Sequence, residues 1–131
     1  MSSSLQFNGA LILGPPSAGD CGFSDGTFSQ SFGFTEPAAV SAQHTKNVNS
    51  PSAFVALDGI GVTVTQATFF FLKTASVFIV RITYKPLSGP DVVSTIPVMG
   101  PMLVKTPSDQ YIKLVEVQGS GAVSYLATGN Q

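Results

Sequence analysis

Residues 77–85 alternate without a break: Phe78, Val80, Ile82 and Tyr84 fall on one side, Arg81, Thr83 and Lys85 on the other. A repeat of two matches the pleat of a β-strand, whose successive side chains point to opposite faces, and conflicts with the turn of a helix. The same β-branched and aromatic bias fills residues 53–85 and 111–127, and no segment places apolar residues at helical spacing. The chain is therefore expected to be all-β.

Turn chemistry divides it further. Asn8-Gly9 inside 4–13, Asp58-Gly59 between 53–57 and 60–64, and Gly119-Ser120-Gly121 between 111–118 and 122–127 each predict a hairpin, because glycine and its neighbours accept the positive φ of tight reversals. Lys73-Thr74-Ala75-Ser76 reads as another turn, which splits 67–84 into two buried strands. Phe28, Phe32 and Phe34 recur at period two and predict a strand over 27–34, with Gln30 as the exception. Val62 and Val64 sit at even positions while Ala67, Phe69 and Phe71 are odd; a straight strand cannot make that change of side, so a β-bulge is expected near Thr65-Gln66. Strands 92–96 and 98–104 are interrupted by Pro97 and by Gly100-Pro101, which assigns them to sheet edges. Glycine- and proline-rich residues 14–26 and polar residues 43–52 read as exposed loops. The sum is about eight to ten short strands in one domain spanning 1–131. An antiparallel β-sandwich is the expected architecture, with jelly-roll order as one arrangement and a small β-barrel as the alternative.

Charge restricts what such a domain can do. Only 10% of the 131 residues are charged and the net charge is −1. Lys46, Lys73, Arg81, Lys85, Lys105 and Lys113 are spread too thinly to make a phosphate-neutralising stripe, so nucleic acid is not an expected partner. Lys73 and Arg81 interrupt the apolar segment 67–84, at about 2.5–3.5 kcal/mol each at a bilayer centre, so no membrane partner is expected either. Cys21 is the only cysteine and excludes an internal disulfide, which fits synthesis in a reducing compartment. The first residues, Met1 to Phe7, lack the basic and apolar regions of a signal peptide.

No chemistry-bearing constellation emerges. Residues 14–21 echo a phosphate-binding loop, but Asp20 stands where the lysine is required and Cys21 where the magnesium hydroxyl belongs. Cys21 and His44 lack a third, orienting group, and one Cys with one His cannot assemble a zinc site alone. Asp20, Asp25, Glu36, Asp58, Asp91, Asp109 and Glu116 are scattered, without the dense oxygen ligands of a calcium loop. Neither a catalytic residue nor a cofactor is expected. The sharpest remaining feature is Phe69-Phe70-Phe71: consecutive aromatics in a strand point to both faces, so both must be covered, by the protein's own packing or by a subunit interface.

The sparse charge, the short strands rich in Ser, Thr and Gly, and the terminal Val115-Glu116-Val117-Gln118-Gly119-Ser120-Gly121-Ala122-Val123-Ser124-Tyr125-Leu126 stretch together resemble small β-rich virion proteins of tailed bacteriophages, of the capsid-decoration, head-fibre or tail-associated kind. The resemblance implies a non-enzymatic structural protein made in the host bacterial cytoplasm and fixed to the virion, often as a trimer. It would bind itself and a larger protein lattice, with Phe69, Phe70 and Phe71 as interface candidates. The alternative is a receptor- or carbohydrate-binding β-sandwich, against which stands the lack of any tryptophan to stack on a sugar.

Overall fold

A computed structural model describes residues 3–13 and 28–131 of the chain. They fall into two compact units. In the first, Ser4–Pro37, strands β1 (Ser3–Leu13) and β2 (Phe28–Ala38) make a two-stranded sheet. Strand β1 runs straight through Asn8-Gly9, so that dipeptide does not reverse the chain. Gly33 explains part of the pairing, since a Cβ there would lie 2.7 Å from the carbonyl oxygen of Phe7. The expected loop over 14–26 lies outside the described residues.

The larger unit is all-β and antiparallel, with β3 (Val40–Ala56), β4 (Gln66–Pro86), β5 (Val92–Lys105) and β6 (Gln110–Asn130) in the order β3-β6-β4-β5. Its strands are long because each passes through a bend instead of ending there. Pairing shifts between Ser50 and Val55 in β3 and between Thr74 and Phe78 in β4. In β6 the bend is at Gly119 and Gly121, both with positive φ.

The cause of the β6 bend is visible in its neighbour. A Cβ on Gly119 would lie 2.8 Å from the Phe78 ring, and the Ser76 hydroxyl donates to the Ser120 carbonyl at 2.6 Å. Phe78 therefore occupies the space a side chain on β6 would need, and only glycine lets the two strands turn together.

Counting each bent strand as two halves shows the architecture. One layer holds 40–50, 122–130, 66–74 and 100–105 side by side; the other holds 55–56, 110–118, 78–86 and 92–98. In chain order these half-strands run first, eighth, third, sixth in one layer and second, seventh, fourth, fifth in the other. That is the order of a jelly roll, eight strands in two packed sheets. The larger unit is a β-sandwich folded from four bent strands.

The layers close on one core. Phe70, Leu72, Val123 and Ala127 from the first meet Phe78, Val80, Ile82, Val115 and Val117 from the second. Tyr125 spans them, donating from its hydroxyl to the Asp58 carbonyl at 2.8 Å. Burial, then the Asp58 carboxylate, pushes Tyr125 up to about 12 from an ordinary 10.0. Below pH 10 this tyrosine is protonated in both folded and unfolded chains, so its contribution is fully present; between about 10 and 12 the unfolded chain releases the proton first and stability falls. Tyrosinate absorbance should show a tyrosine titrating near pH 12, and Tyr125→Phe should abolish that step.

Several sequence expectations need correction. Asp58-Gly59 does not close a hairpin: residues 57–65 form a compact crossing loop in which Thr63 and Val64 both donate to the Gly59 carbonyl. Gly119-Ser120-Gly121 and Lys73-Thr74-Ala75-Ser76 are bends inside continuous strands. The bulge expected at Thr65-Gln66 lies two to three residues later: Ala67 and Phe69 pair with Gly129 and Thr128, leaving Thr68 as the extra residue. It brings Ala67 and Phe70 onto the same core. Residues 43–52 belong to β3, polar because that strand is an exposed sheet edge. Residues 92–96 and 98–104 are one strand, β5, and it is the other edge, as the prolines required.

Candidate interaction surface

The charged side chains largely neutralise one another. Arg81 grips Glu116 through two hydrogen bonds of 3.0 and 2.9 Å and stacks over Phe54 at 4.0 Å, and the Glu116 bond raises the guanidinium pKa further. Cross-strand register places this pair on the outer face of the second layer. Lys113 and Lys85 both reach Asp91, at 3.0 and 3.7 Å, and the Lys113 hydrogen bond leads in holding that carboxyl below the usual range. Lys46 pairs with Asp58 at 3.1 Å. Asp58, Asp91 and Glu116 thus each serve an ion pair.

His44 is exposed on β3 and lies 5.5 Å from the Tyr125 ring. Asp20, Cys21 and Asp25 lie outside the described residues. Among the described residues no group of three or more His, Cys, Asp or Glu side chains could hold a metal ion, and no helix is long and apolar enough to cross a membrane. A recess of about 550 Å³ opens beside the 57–65 loop, but its Asp58 and Lys113 are the ion-paired residues just described.

What the surface does offer is apolar. Phe69 and Phe70 are buried within the chain, so both sheet faces at the aromatic triplet are covered, and Phe71 is its half-buried member. Phe71 pairs with Leu126 on one side and Leu103 on the other, and Leu126 with Gln43, so one row crosses all four strands on the outer face of the first layer. A shallow recess of about 220 Å³ beside it is lined by Phe71, Gln43, Thr45 and Ser124.

Strand β5 continues this character along the free edge, where Val92, Val93, Ile96, Met99 and Leu103 are all exposed. No charge interrupts it between Asp91 and Lys105. Sequence reasoning placed these residues at a sheet edge but chose the phenylalanines, not this strand, as the interface. The available signal was the conjunction of edge-marking prolines with an uncharged stretch rich in valine. The chain matches no protein-family model, no curated protein and no solved structure.

Proposed function

We propose that this protein is a non-enzymatic structural component of a bacteriophage virion, synthesised in the bacterial cytoplasm, which self-associates and decorates or stabilises the capsid or tail. The observation that carries this reading is a jelly roll whose free edge and outer row are apolar and uncharged. Jelly rolls serve capsids, lectins and cupins alike, so the fold does not choose among them. The surface supports assembly: large exposed apolar tracts mark sites of protein association, and charge depletion is characteristic of interface cores.

The same observation separates this docking mode from an electrostatic one. Apolar burial is little affected by salt, whereas exposed ion pairs are screened over about 8–10 Å at physiological ionic strength. The test is retention on virions of the phage that encodes the chain, during washes of rising salt. Retention through about 1 M NaCl, where the screening length is about 3 Å, is expected. Release at moderate salt, or no association with particles, would contradict the proposal.

A further inference from the structure

We infer that residues 92–96 of β5 pair antiparallel with the same segment of a second copy, joining two sandwiches across a two-fold axis. The inference rests on the self-association proposed above and names its surface.

The first ground is an incomplete layer. Val92 and Ile96 pair with Tyr84 and Val80, so they share the core-facing side of the second layer. Val80 is 1% exposed, yet Val92 and Ile96 are 52% and 39% exposed. A further strand beside β5 would cover them. Within the described sheet no strand takes that place.

The second ground is backbone direction. Thr106 donates to the Thr68 carbonyl and Gly100 to the Thr74 hydroxyl, so even-numbered residues of β5 face β4 in the first layer. In the second layer, Leu57 donates to the Val115 carbonyl; odd residues of β6 thus face β3, and alternation carried through β4 again turns even residues of β5 inward. Val93 and Thr95 therefore present their N–H and C=O groups to the free edge. Pro97 and Pro101 also face outward but have no N–H, so they interrupt the far part of the edge, where alternation leaves outward donors at Met99 and Leu103 with Pro101 between them. In the second-layer half of β5 the outward donors are Val93 and Thr95.

The third ground is charge. A two-fold interface sets each residue near its own copy, so like charges there would repel. Residues 92–96 carry none, and beside them Asp91 offsets one of the two charges of Lys85 and Lys113. The opposite edge, β3, carries Lys46 and His44 and lacks this self-compatibility. An uncharged edge with open donors is the template that proteins ordinarily block when no partner exists.

The test uses the full chain, with molar mass from light scattering and amide exchange read at Val93 and Thr95. Thr95→Pro removes an outward donor without touching the β4 ladder, and Val93→Lys places like charges across the axis while leaving the backbone intact. The wild type should weigh twice the 13.6 kDa chain, with both amides protected, and each variant that keeps the wild-type circular dichroism should weigh 13.6 kDa. If folded variants keep the wild-type mass, or the assembly is three-fold, the β5 pairing is wrong while self-association stands. A wild type that stays monomeric up to about 1 mM, where only interactions weaker than about 4 kcal/mol escape detection, overturns both.

Discussion

Phe78→Ala should destabilise the larger unit by about 3–5 kcal/mol, a sizeable share of the roughly 5–15 kcal/mol that holds an ordinary domain together. Phe78 is fully buried, and its ring fills the angle where β4 and β6 bend from one layer into the other. Removing it forfeits the transfer energy of an aromatic ring and leaves a void against Gly119, a residue with no side chain to move in. At about 4–8 °C per kcal/mol for a domain of this size, the melting temperature should fall by at least about 12 °C. A double-mutant cycle makes the claim specific. Gly119→Ala clashes with the Phe78 ring in the wild type, 2.8 Å from its new Cβ, but not in Phe78→Ala, so the two losses should be less than additive. Strict additivity would mean that the ring does not impose the glycine.

Gly129→Ala should rank next, at about 3 kcal/mol, the upper end of ordinary overpacking penalties. Gly129 is buried where the end of β6 meets the start of β4. A Cβ there would overlap the Gln66 carbonyl oxygen and approach Ala67 Cα to 2.9 Å. Both obstacles are backbone, so no rotamer change relieves them, and the strands themselves must separate. Gly100→Ala is the control: its φ is +87, but a Cβ would meet nothing within 4 Å. Backbone strain alone should cost it about 1–2 kcal/mol. Chemical denaturation of the two variants, compared at equal m-value, checks the order; equal losses would show that close approach does not govern position 129.

The strand content was legible because alternation at 77–85 reports directly on which face is buried, and β4 buries Phe78, Val80 and Ile82 accordingly. The sandwich was one of two architectures that this alternation allowed, but the strand order was not legible, because a period of two reports faces and not neighbours. Nor were the bends. Glycines at 119 and 121 announce a departure from straight backbone, and a local reading turns that into a reversal. What makes it a bend is Phe78 and Ser76, some forty residues away in sequence and adjacent only once β4 and β6 have paired. Strand β3 was hidden differently: His44, Thr45, Lys46 and Asn47 look like a loop because an edge strand with a solvated face buries little, and its register against β6 supplies the order that composition does not. The Phe69-Phe70-Phe71 run was correctly read as needing cover on both faces, but a sequence window cannot tell whether that cover is internal. For Phe69 and Phe70 it is, which moves the exposed apolar character to Phe71, Leu103 and the free edge of β5.

The proposed virion role is tested most directly by electron microscopy of virus particles produced with and without the chain and washed in high salt. The account predicts ordered density for the β-sandwich on capsid or tail, retained at about 1 M NaCl and absent from the deletion particles. Particles that are identical with and without the chain, or density that washes away as salt rises, would contradict it.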